Sequence, residues 1–188
     1  MAYSTNQFKN GLKILLNGDP CSIIEKEFHK PGKGGAYMKI KYRNLKNGRV
    51  LEKTFKSGES VEGADVVETD MQYLYNDGNH YHFMEPTTYE QHLCSKAIVE
   101  DAMQWMKEED LATITLWNGS IISVEASKFV ELTVTETQPA VRGDTVTGAA
   151  KNATVETGAE IKVPLFIENG DLVKIDTRTG EYISRVKD

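Results

Sequence analysis

Asparagine–glycine turns recur along this chain and leave room only for short extended segments between them: Asn17-Gly18, Asn47-Gly48, Asn118-Gly119 and the related Asn76-Asp77-Gly78. Such pairs accept the backbone conformations of tight hairpin connections, so each predicts two antiparallel strands meeting at a turn. The flanking residues agree. Leu12, Ile14 and Leu16 alternate before the first turn, and Cys21 to Phe28 resumes an extended pattern after it. Residues 39–45 and 49–55 flank the second turn, 72–75 and 80–84 the third, and 113–117 and 120–124 the last. A chain punctuated this way folds as small all-β barrels.

Three modules are expected. Residues 1–65 predict an SH3-like barrel, closed off by the Ser57-Gly58-Glu59-Ser60 and Glu62-Gly63 breaks. Residues 66–128 carry hairpins and one helical stripe from Ala97 to Glu109, with Ile98, Ala102, Trp105 and Met106 apolar, which matches an OB-like barrel with an inserted helix. Residues 129–188 repeat the all-β style through Leu132 and Val134, 161–167, Leu172, Val173 and Ile175, and a return through Tyr182, Ile183 and Val186, a second OB-like barrel. Trp105 and Trp117 are expected in cores.

Net charge is −6, but it is unevenly spread. Residues 1–65 hold 12 Lys/Arg and 7 Asp/Glu, a net of +5, whereas residues 66–188 hold 10 Lys/Arg and 21 Asp/Glu, a net of −11. Phosphate contacts are therefore expected mainly at the first module. No apolar run approaches membrane-spanning length, and the N-terminus lacks the basic-then-apolar order of a signal peptide. Cys21 and Cys94 lack metal-type spacing and read as reduced thiols of a cytoplasmic protein, with a single disulfide as the alternative.

Within the basic module, Lys30-Pro31-Gly32-Lys33-Gly34-Gly35-Ala36 forms a side-chain-poor loop with Lys33 the one long side chain at its tip. Behind it Met38, Ile40 and Tyr42 alternate with Lys39, Lys41 and Arg43, a strand with one packed and one cationic face. Lys30, Lys46, Arg49, Lys53 and Lys56 add charge. A cation on a thin glycine loop suits a probe inserted into an anionic place; the plainer reading is a solvated surface turn. The loop lacks the hydroxyl residue and following helix of a nucleotide P-loop.

Catalytic constellations are missing. His80 and His82 are two apart and share a strand face near Glu85, but further metal ligands are not singled out. Asp65, Glu68 and Asp70 read as a solvated boundary, and Lys33 lacks the apolar wall that activates an amine for covalent chemistry. No enzyme activity, metal or cofactor is expected.

The chain resembles bacterial translation elongation factor P over essentially its full length. The resemblance is carried by Lys30-Pro31-Gly32-Lys33-Gly34, Glu52-Lys53-Thr54-Phe55-Lys56-Ser57, Tyr73-Leu74-Tyr75-Asn76-Asp77-Gly78 with Phe83-Met84, and Leu116-Trp117-Asn118-Gly119. In the last module it is carried by Gly143-Asp144-Thr145, Lys162-Val163-Pro164-Leu165-Phe166, Gly170-Asp171, Thr177-Arg178-Thr179-Gly180-Glu181-Tyr182 and Arg185. It implies an N-terminal SH3-like (KOW-like) barrel and two OB folds in an L-shaped, monomeric protein. It implies a factor bound to the 70S ribosome between the peptidyl-tRNA and exit sites, relieving stalling at consecutive prolines.

By the same resemblance the loop (Lys30, Pro31, Gly32, Lys33, Gly34) reaches the CCA end of P-site peptidyl-tRNA, with Lys39, Lys41 and Arg43 adding phosphate affinity. Lys33 matches the position extended by a β-lysyl group, attached by a lysyl-tRNA-synthetase-like enzyme. Gly143, Asp144 and Thr145 match the third domain's contact with the small subunit and the tRNA/mRNA region. A general single-stranded nucleic-acid binder, stacking bases on Tyr73, Tyr75 and Tyr81, is the rival.

Overall fold

The computed structural model describes residues 1–140 and 149–187. Among these residues it is all-β with one short α-helix, its sheets curled into barrels. The chain divides into two compact units, Met1–Thr69 with Ile114–Ser123, and Asp70–Thr113 with Val124–Asp188.

The first barrel is built from β1 (Ala2–Ser4), β2 (Lys13–Leu16), β3 (Asp19–His29), β4 (Tyr37–Asn44), β5 (Val50–Lys56) and β6 (Ser60–Glu62). β2-β3-β4-β5 form a four-stranded antiparallel sheet and β1 pairs with β6. The period-two pattern lands as expected. Met38, Ile40 and Tyr42 are buried with Phe8, Ile14, Leu16, Cys21, Ile23 and Phe55 in one cluster. Phe8 meets Phe55 edge-to-face at 5.4 Å. Ile40 is wholly buried, so Ile40→Ala should cost about 2–5 kcal/mol. The β2–β3 turn places both Asn17 and Gly18 at positive φ (54° and 81°), the geometry that Asn-Gly tolerates.

Next come β7 (Val66–Asn76), β8 (Tyr81–Met84), β9 (Gln91–Cys94), α1 (Lys96–Met103), β10 (Leu111–Trp117) and β11 (Ser120–Ala126), with sheet order β11-β10-β7-β8-β9. Here the helix departs from expectation. It ends at Met103 rather than Glu109, and Val99, not Ile98, is its fully buried residue beside Ala102. The cause lies far away in sequence. Trp105 leaves the helix to join the core of the last barrel, its ring 3.6 Å from where a side chain on Gly180 would begin. The chain then turns at Lys107, whose N–H donates to the Asp110 carboxylate at 2.8 Å.

The last barrel contains β12 (Phe129–Thr137), β13 (Ala150–Val155), β14 (Glu160–Pro164), β15 (Leu172–Asp176) and β16 (Glu181–Arg185), in the order β14-β13-β12-β15-β16. Leu132, Val134, Val163, Ile167, Val173 and Ile175 form its core. The β15–β16 turn is closed by Arg178, which donates through Nε and a terminal nitrogen to both oxygens of Asp176 at 3.0 and 2.7 Å. That pairing holds the Asp176 carboxyl below its ordinary range. Cys21 and Cys94 are both buried and unpaired, and burial pushes the Cys94 thiol up to about 11. No helix among the described residues is long and apolar enough to cross a membrane.

Candidate nucleic-acid interface

The Lys33 loop is the end of the β3–β4 hairpin. Beyond a bulge between Ile23 and Glu25 the two strands pair residue for residue up to His29–Tyr37, so residues 30–36 bridge a stem that is paired to its last rung. Every residue from Lys30 to Gly35 is exposed, and no hydrogen bond among the described residues joins two of them. Gly34 sits at φ 107°, which other residues rarely adopt, and the space around Gly32 and Gly35 is open. Lys33 is therefore a solvated amine on a backbone with no side-chain packing of its own.

Two features at the root of the loop are not singled out by sequence pattern. His29 and Tyr37 stack with ring centroids 4.8 Å apart and planes 16° from parallel, and Ser57 N–H donates to the Ala36 carbonyl at 2.9 Å. The signal lay in two flat side chains flanking the loop symmetrically. Cross-strand aromatic pairs of this kind are worth about 0.2–1 kcal/mol. Lys56 stands opposite Tyr37, so it shares this end of the sheet.

Lys39, Lys41 and Arg43 do share the outward face of β4, but that face is not bare cation. Lys39 Nζ lies 2.8 Å from the Glu52 carboxylate. Register places Glu27 across from Lys39 and both Glu25 and Glu52 across from Lys41. The Glu52 hydrogen bond raises the Lys39 amine above its ordinary value, and Lys39 lowers Glu52 correspondingly. Three glutamates thus interleave with two lysines. In contrast, among the described residues no carboxylate lies within 4 Å of the amines of Lys30, Lys33 or Lys56.

The remaining candidates sort differently. Gly143, Asp144 and Thr145 lie outside the described residues. His80 belongs to the turn before β8, while His82 Nε2 lies 2.8 Å from Asp77 Oδ2, so the two histidines do not converge. Among the described residues no group of three or more His, Cys, Asp or Glu could hold a metal ion. Of the boundary carboxylates, Glu68 and Asp70 are individually engaged, while Asp65 takes part through its backbone carbonyl, which accepts from Asn118 N–H at 3.0 Å. Glu68 pairs with Lys13 at 3.4 Å, and Asp70 accepts from the Thr113 hydroxyl at 3.0 Å.

Comparison with known proteins bears on all three modules. The model of the elongation factor P KOW-like domain matches residues 4–61, that of the elongation factor P OB domain residues 66–124, and that of the elongation factor P C-terminal domain residues 130–185. Among solved structures, eukaryotic translation initiation factor 5A from Methanococcus jannaschii is 20% identical with a TM-score of 0.50, covering 66% of this chain and 95% of its own. A translation initiation factor eIF-5A family protein from Naegleria fowleri is 16% identical with a TM-score of 0.52, covering 66% and 97%. At these identities the likeness is one of fold.

Proposed function

The chain belongs to the elongation factor P family of translation elongation factors, and from that premise we propose that it binds the 70S ribosome between the peptidyl-tRNA and exit sites and relieves stalling at consecutive prolines. The observation that carries the reading is the exposed Lys33 amine at the end of a hairpin stem paired to its last rung. Proline is a constrained nucleophile, its ring fixing one backbone angle, so failure to form the bond is a failure of positioning. Holding two reacting groups in alignment is worth several kcal/mol of barrier without any chemistry by the holder. The factor therefore needs no catalytic residue; the loop supports the CCA end of P-site tRNA and the ribosome makes the bond.

Lys33 is the proposed site of β-lysyl attachment by a lysyl-tRNA-synthetase-like enzyme. An added amine-bearing arm lengthens the probe and supplies further donors to phosphate or ribose oxygens. Lys30 and Lys56 at the loop root are better placed than Lys39 to neutralise phosphate, because Lys39 is already paired. Reconstituted translation of a proline run, with wild type and Lys33→Ala compared, tests the reading. Faster read-through only with wild type is expected, and equal rates would overturn it. The intact mass of protein from its own host tests the modification.

A further inference from the structure

The outer face of the β7–β8–β9 sheet carries an ordered aromatic row. Register sets Tyr75 opposite His82 and His82 opposite Leu93, with Gln72, Met84 and Gln91 forming the next row. Tyr75 is 45% and Leu93 53% exposed. The Tyr75 ring stacks on His82 with centroids 4.4 Å apart and planes 12° from parallel. His82 is in turn held by Asp77, whose other oxygen accepts the N–H groups of Asn79 and His80. These side chains are fixed before any partner arrives, which lowers the ordering cost of binding.

Charge decides what such a row can take. Residues 66–128 hold 11 Asp/Glu against 3 Lys/Arg, a net of −8. Platforms that stack nucleobases combine aromatic rings with cations that track the phosphates, and this module has the opposite field. A planar group attracted both to a tyrosine face and to carboxylates is the guanidinium.

We propose that the Tyr75–His82–Leu93 row is a docking surface for an arginine-bearing segment of a cationic protein. The guanidinium lies over Tyr75 within the field of Asp77, and Leu93 and Met84 receive the apolar part of the segment. This does not rest on the tRNA reading, since the row belongs to another module.

The test is fluorescence anisotropy at low salt with the full chain and three labelled probes: a peptide of alternating Arg and Ser, the same peptide with Lys for Arg, and oligouridylate. The arginine peptide should bind more tightly than the lysine peptide. Tyr75→Ala and Leu93→Ser should each weaken it about three- to ten-fold, Tyr75→Phe should retain it, and Tyr89→Ala, exposed but outside the row, should leave it unchanged. Both altered side chains face solvent, and unchanged thermal transitions establish that the variants are folded. Absence of arginine-peptide binding, equal binding of the lysine peptide, equal loss in Tyr89→Ala, or oligouridylate binding that depends on Tyr75 would overturn the proposal.

Discussion

Two hairpin ends of this molecule solve opposite problems. At Asn76–His80 the turn is held by its own polar groups: Asn76 Oδ1 accepts from Gly78 N–H, Asp77 Oδ1 from two N–H groups, and Asp77 N–H donates to the His80 carbonyl at 3.1 Å. At Lys30–Gly35 no such bond joins the loop residues, and only the stem below is locked. Side-chain carboxylate and amide groups wire one turn into a single conformation; glycines leave the other ready to take its shape from what it meets. The wired turn borders the surface proposed for docking, and the unwired one is the loop proposed to reach the tRNA.

The largest test of this contrast is Lys33→Ala. Proline-run read-through should fall at least about ten-fold, with the unfolding midpoint unchanged, because the side chain is exposed to solvent. Comparable loss of stability would break the contrast by showing the loop to be structural. Gly34→Ala should come next, with a smaller fall in read-through, since its φ of 107° is strained for alanine; Gly32→Ala, without positive φ, should be near wild type. Measuring the two side by side separates loop shape from loop bulk.

Asp77→Asn should lower the melting temperature by a few degrees at neutral pH. The hydrogen bonds to His82 and to the N–H groups of His80 and Asn79 hold the Asp77 carboxyl well below its usual range. A depressed carboxyl stabilises the fold above the unfolded value near pH 4 and loses that contribution as pH falls through the folded one. The gap between wild type and Asp77→Asn should therefore be constant from pH 5 to 7 and close progressively below about pH 4. A gap that persists in acid would sharpen the comparison toward packing rather than charge. The smallest effect is a difference of slopes: neutralising Lys30 and Lys56 should reduce the salt dependence of ribosome binding more than neutralising Lys39 and Lys41, whose face carries Glu25, Glu27 and Glu52.

Much of this was legible in the chain itself, because turns and alternation are local. Asn17-Gly18 and Asn118-Gly119 both take positive φ as their types demand, and Met38, Ile40 and Tyr42 point inward. What escaped depends on partners distant in sequence. A bulge between Ile23 and Glu25 inserts one residue into β3 and switches its faces, so Glu25 and Glu27 stand beside Lys41 and Lys39. No pattern within 21–28 announces that. The helical stripe runs past Met103 in the sequence for the same reason, since nothing near Trp105 shows that its place is beside Gly180.

The paired stem under Lys33 also fixes a gauge. Antiparallel strands lengthen only by whole rungs, each adding about 3.4 Å, and a single inserted residue would turn the outward face inward. The distance from barrel to amine can thus be retuned only in coarse steps, and the covalent extension proposed for Lys33 would lengthen the reach without touching the register.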